Sequence, residues 1–237
     1  MTPLSLTVGY VPGVTPAKWA RTWAARRPDV PLQLHALAVA DAADALRAGT
    51  VDVALLRSPS DTSGLAVIPL YEETTVVVVP SDHLFGAVDA VTAGDLDGEP
   101  ILIPLDDVVG WAAAPGLQVD HRPETTRDAT ELVAAGVGVL IVPQSLARLH
   151  HRRDLVYRPV TDAPTCAVAL AVPDGPQPAL VEEFIGVVRG RQPSSSRGRA
   201  EPAPKRSARE KTLAKQAARA AAGKVASKPG QAKRGRR

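Results

Sequence analysis

The sequence predicts an α/β protein of two lobes, and three observations carry that prediction. Residues 4 to 57 read strand, helix, strand, helix, strand, the order that builds a parallel sheet. A second series of strands and short helices follows, from about residue 77 to residue 164. An apolar strand, Thr165 to Val172, comes after that series and is placed to return to the first sheet. The first lobe is therefore expected to hold about residues 1–76 and 165–190, and the second about 77–164. A chain that leaves a lobe and re-enters it forms a two-stranded hinge beside a cleft.

Leu4, Leu6 and Val8 alternate with Ser5 and Thr7 and close on Gly9, which is strand periodicity. Thr15-Pro16 is expected to start the first helix, with a hydroxyl cap and then a proline at the first helical position, where its missing N–H costs nothing. Pro28 ends that helix. A second strand covers Pro31 to Ala36. The second helix carries Ala42, Ala45 and Leu46 on one face, and Gly49 is its carboxyl-terminal cap. Val51 to Leu56 is a nearly continuous apolar run, as a strand covered on both faces should be.

Leu65 to Tyr71 and the valine-rich Thr74 to Pro80 read as the next strands. One helical turn fits Thr92 to Gly98, and short strands fit Ile101 to Ile103 and Leu117 to Arg122. Pro104, Gly110 and Pro115-Gly116 break any pattern between them. Thr125-Thr126 caps a helix that runs through Ala135, with Asp128 and Glu131 in its early turns, where negative charge suits the dipole. Gly136 ends it. Val137 to Val142 is a buried strand, Pro143 to Leu149 a short helix, and Leu155 to Val160 a strand. Ala179 to Val188 is a last helix with Leu180, Phe184, Ile185 and Val188 on one face.

Charge divides the chain. Residues 1–190 hold 13 Lys and Arg against 23 Asp and Glu, whereas residues 191–237 hold 15 against 2. The segment beyond Gln192-Pro193-Ser194-Ser195-Ser196 cannot bury enough apolar area to offset its ordering entropy, so a disordered tail is expected, with nascent helix near Lys211 to Ala222. Its cations from Lys205 onward (Lys205, Arg206, Arg209, Lys211, Lys215, Arg219, Lys224, Lys228, Lys233, Arg234, Arg236 and Arg237) suit non-specific nucleic-acid binding by counterion release. The tail has no aromatic residue for base stacking. A solvated, solubilising tail is the other reading.

The single cysteine, Cys166, lies in an apolar run and reads as a small buried strand residue. No apolar run approaches the ~20 residues that span a bilayer, so no membrane partner is expected. The start of the chain lacks a charged n-region and an apolar h-region, and a cytoplasmic location is the expectation. Only Met1, Thr2 and Pro3 precede the first strand, so no amino-terminal module is expected.

Five segments, in order, resemble the effector-binding domain of LysR-type transcriptional regulators. They are Leu4 to Gly9, Arg27 to Leu32, Leu46 to Leu55, Val77 to His83, and Leu132 to Pro143. The resemblance covers about residues 4–190. It implies a type 2 periplasmic-binding-protein fold, non-catalytic binding of a small effector between the lobes, and a role in transcriptional regulation. The family's winged helix-turn-helix is not expected here, and residues 104–122 are shorter than the family's usual stretch, which includes a longer helix.

Helix amino termini aimed at a cleft attract anions. Three places qualify, and the resemblance implies that they line the effector cleft: Val14-Thr15, Arg57-Ser58, and Thr125-Thr126-Arg127. The implied ligand is a small polar or carboxylate-bearing metabolite. Trp19 and Trp23 share a face of the first helix, for core packing or for the homodimer contact that the family often makes there.

Other motifs carry less. Gly136-x-Gly138 closes a helix instead of opening one, so it is no dinucleotide fingerprint. His150-His151 lacks metal-ligand spacing and reads as a solvated helix end. There is no G-x-S-x-G elbow, phosphate loop or zinc-helix motif, and neither cofactor, metal nor catalytic residue is expected. Thr125-Thr126-Arg127-Asp128 is faintly similar to the Thr-Arg-Phe motif of prephenate dehydratases, without the phenylalanine. A solute-binding protein of a transporter is the main alternative.

Overall fold

The computed structural model describes residues 4–57 and 60–191. Two five-stranded mixed sheets form the two lobes. The first has the order β2-β1-β3-β10-β4, from β1 (Leu6–Tyr10), β2 (Leu32–Ala36), β3 (Val53–Arg57), β4 (Leu65–Glu73) and β10 (Cys166–Pro173). The second has the order β7-β6-β8-β5-β9, from β5 (Thr75–Pro80), β6 (Pro100–Leu102), β7 (Leu117–Gln118), β8 (Val139–Pro143) and β9 (Leu155–Pro159). Strands β1, β2 and β3 run parallel, and β10 lies antiparallel between β3 and β4. The chain changes sheet at Thr74 and returns between Pro159 and Cys166. These crossing segments are bonded to each other: Val160 N–H donates to the Thr75 carbonyl at 3.0 Å, and the Thr75 hydroxyl to the Pro164 carbonyl at 2.5 Å.

Helices α1 (Ala17–Arg26), α2 (Ala42–Arg47) and α5 (Ala179–Val188) belong to the first lobe. Its core joins Leu6, Val8, Leu55 and Leu170 of the sheet to Trp23, Leu46 and Phe184 of the helices. Trp23 is fully buried, donates to the Val30 carbonyl at 2.8 Å, and meets Phe184 edge-on at 5.7 Å. That geometry commits Trp23 to the core and leaves only Trp19, half-buried, for any outer contact.

The second lobe carries α3 (Thr126–Ala134) and α4 (Gln144–Leu149). The valine run of β5 is buried throughout because both faces of its sheet are covered. Val76 and Val78 face α3 and α4, while Val77 and Val79 face Phe85 and Leu96, the alternation that a strand imposes.

Two expectations are corrected and one is extended. The first helix begins at Ala17, with Pro16 as its N-cap and no capping bond from Thr15. The cause is a turn just before it: Val14 N–H donates to the Val11 carbonyl, so the chain is still reversing there. On α2 the buried face includes Ala43 beside Ala42 and Leu46, and Ala45 packs against the same core half-buried. The strand read over Leu117 to Arg122 keeps only Leu117–Gln118, because the chain beyond bends away and Arg122 donates to the Ile103 and Pro104 carbonyls.

Glycine caps behave as read. Gly49 (φ 69°) and Gly136 (φ 74°) each follow a helix, and the residue after each donates back into the last turn, Thr50 to Ala45 and Val137 to Leu132.

Candidate functional site

An arginine that ends the strand sequence Val-Ala-Leu-Leu must either reach water or bring a counter-charge inside. Arg57 does the second: it is 0% exposed. Its Nε donates to the Glu73 carboxylate at 2.9 Å, and Nη2 lies 2.9 Å from the same oxygen. Nη1 donates to the Pro12 carbonyl at 2.8 Å, and Nη2 to the Ser145 hydroxyl at 3.1 Å. Pro12 lies in the turn after β1, Glu73 ends β4 one residue before the crossing, and Ser145 lies in the first turn of α4. One guanidinium thus ties three segments of the first lobe to the second.

Gly13 permits this close approach. Its φ of +83° suits glycine, and a Cβ there would stand 2.6 Å from Ser145 Oγ and 3.1 Å from Arg57 Nη2. Val39, after β2, packs against both the first lobe's core and the core beneath α3 and α4. The lobes therefore touch beside the hinge through Gly13, Arg57, Ser145, Leu146 and Val39.

A second polar group gathers at the start of α3. Thr125 is the N-cap: its hydroxyl accepts from Asp128 N–H at 3.1 Å and donates to the Asp128 carboxylate at 2.7 Å. Thr126 is buried, and its hydroxyl donates to the Asp106 carboxylate at 2.9 Å. A carboxylate of the chain itself thus stands beside the helix end that was expected to receive an anion. The Arg127 side chain is exposed. His150 is half-buried and not simply solvated: burial first, then the Arg127 charge, holds its imidazole below the ordinary value, and Asp106 opposes them.

The other expected contacts divide as follows. Val14 is buried in the first core with its N–H engaged by Val11, and Thr15 is exposed. Ser58 and the tail cations from Lys205 to Arg237 lie outside the described residues. Arg57 reaches the second lobe through Ser145 of α4, not through α3. Glu73, Gly13, Ser145 and Asp106 were missed by sequence reasoning. Only Glu73 had a signal, since a charged strand end implies a buried partner. Cys166 is buried as expected, and burial raises its thiol pKa.

Among the described residues no helix is long and apolar enough to cross a membrane. The geometry is similar to solved effector-binding domains. The BenM effector binding domain with its effector benzoate superposes with a TM-score of 0.67 at 19% identity, covering 80% of this chain and 92% of that one. The reduced form of OxyR gives 0.66 at 23% identity, covering 80% and 96%. In sequence the chain is 28% identical to the Hca operon transcriptional activator HcaR of Escherichia coli (strain K12), over 78% of this chain and 67% of HcaR. It is 31% identical to a probable hydrogen peroxide-inducible genes activator of Mycobacterium avium, over 60% of this chain and 48% of that protein. The chain thus spans about half to two thirds of these regulators. Residues 5–193 match the LysR substrate binding domain, and the chain belongs to that family of transcriptional-regulator effector domains.

Proposed function

We propose that this chain is a non-catalytic sensor that holds a small polar metabolite between its lobes and converts lobe closure into transcriptional regulation. The observation that carries the reading is Arg57, a buried cation at a two-stranded hinge that bonds to both lobes at once. A ligand touching both lobes favours the closed form only through its extra contacts there, so the junction sets the population that the ligand must shift. In the second lobe, exposed Arg127 at the start of α3 is the group to meet a carboxylate, with Thr125 beside it. Arg57 contributes by position, because its donors are already engaged.

A thermal-shift series with benzoate and other small carboxylates tests this. A bound ligand at 100 times its Kd stabilises by about 2.7 kcal/mol. Arg127→Ala should remove that gain; a gain that persists in Arg127→Ala would overturn the site. The charge division favours a second role for residues 191–237, sequence-independent contact with nucleic acid. Neutralising ~6–10 phosphates would make such binding fall ~10³–10⁵-fold between 50 and 200 mM salt. Unchanged affinity after deletion of that segment would refute it.

A further inference from the structure

A cavity of about 450 Å³ lies against the first sheet, beside the β3–β4 connection. Its floor follows from strand register. Leu56, Ala169 and Pro69 are cross-strand partners, as are Ala171 and Val67, and Ala167 and Glu72. Ala167, Ala169 and Ala171 share one face of β10 by alternation, and the register shift that passes over Leu70 brings Glu72 of β4 to the same face as Pro69. On that face β10, which lies between β3 and β4, lines the cavity with the methyl groups of Ala167 and Ala169, between the larger Leu56 of β3 and the Val67 and Pro69 of β4. Two alanines flanked by bulk make a hollow.

One wall is a built feature. Ser60 and Thr62 line it, and the Ser60 hydroxyl donates to the Arg57 carbonyl at 2.7 Å. Arg47 of α2 holds the same segment, donating to the Ser63 carbonyl at 3.1 Å and to Asp61 at its carbonyl (2.8 Å) and carboxylate (2.9 Å). The size falls within the ~300–1,000 Å³ of small-molecule sites, and an apolar body with a few polar groups is their usual lining.

Charge selects the ligand. Among the described residues, two ionic side chains line the cavity, Arg57 and Glu72. The guanidinium of Arg57 is engaged by Glu73, Pro12 and Ser145. Glu72 is exposed and, among the described residues, takes part in no ion pair; one of its oxygens accepts from the Thr165 hydroxyl at 2.8 Å. The cavity therefore offers an apolar floor and an unneutralised carboxylate. We infer that it is a second small-molecule site, for a compact hydrophobic amine, distinct from the interlobe cleft and opposite to it in charge preference. The inference does not rest on the cleft reading.

Isothermal titration of the full chain with 2-phenylethylamine tests it, with 2-phenylethanol as the neutral analogue. Saturable binding at one site is expected, with the alcohol weaker. Ala167→Trp, a change at an exposed side chain over the floor, should lower amine affinity at least tenfold by filling the hollow. Glu72→Gln should lower amine affinity about tenfold and leave the alcohol unchanged. Circular dichroism checks each fold, and Ala169→Leu replaces Ala167→Trp if the latter unfolds. Absence of saturable binding, or equal amine affinity in wild type, the filling variant and Glu72→Gln, overturns the site. Benzoate binding, if present, should be untouched by either change, which separates this site from the cleft.

Discussion

Replacing Arg57 by methionine is the most informative single perturbation. The change keeps an unbranched stem of similar length and deletes the guanidinium. Glu73, whose side chain is 8% exposed, would then hold a buried carboxylate with no counter-charge. The Pro12 carbonyl and the Ser145 hydroxyl would lose their donor as well. Removing one partner of a buried ion pair costs about 3–5 kcal/mol, because the survivor's desolvation is no longer offset. With a urea m-value of about 2 kcal/mol/M, that lowers the unfolding midpoint by about 1.5–2.5 M. Tryptophan fluorescence reads the transition, since Trp23 lies in the first lobe's core and Trp111 against the second's. The double variant Arg57→Met/Glu73→Leu should recover most of the loss, because apolar replacement of a whole buried pair is often neutral or stabilising. A midpoint shift under about 0.5 M in the single variant, or no recovery in the double, would refute the reasoning.

Gly13→Ala should cost at least about 1–2 kcal/mol from the left-handed backbone alone, and its Cβ, 2.6 Å from Ser145 Oγ, should wedge the lobes apart. Small-angle scattering should show a larger radius of gyration, and an unchanged curve would contradict the contact. Trp23→Ala should destabilise by about 3–5 kcal/mol through the cavity and the lost bond to Val30; a loss under 1 kcal/mol in urea unfolding would remove Trp23 from the core. Cys166 should resist a thiol reagent in the native protein and react fully in urea, since it is 1% exposed and burial raises its pKa; fast native labelling would show an open hinge. Burial and Arg127 hold His150 below its ordinary 6.5, so the unfolded chain takes the proton first. Stability from this group is present above pH 6.5 and is lost as pH falls through the folded value; His150→Asn should flatten that part of the profile, and an unchanged slope would contradict it.

The lobes, the returning strand and the last helix were legible because they rest on periodicity and punctuation. Val76 to Val79 announce a strand covered on both faces, and Gly49 and Gly136 announce helix ends through their backbone freedom. The Thr15 cap was misread because a hydroxyl before a proline is a local signal, while the Val11–Val14 turn that displaces it depends on where β1 ends. The start of α3 was read correctly as a cap, yet Asp106, about 20 residues earlier in the chain, could not be placed beside it from spacing.

By itself the sequence determined where most strands and helices lie, which strand comes back, and which end of the chain is basic. Each of these follows from neighbours within a few residues, where side-chain alternation, caps and composition act. The tertiary structure alone decided that Arg57 faces inward to Glu73 and across to Ser145, and that Ala169 of β10 stands between Leu56 and Pro69 in the floor of a hollow. Those contacts join residues 16 to more than 100 positions apart. Their existence is set by sheet order and lobe approach, which no local pattern encodes.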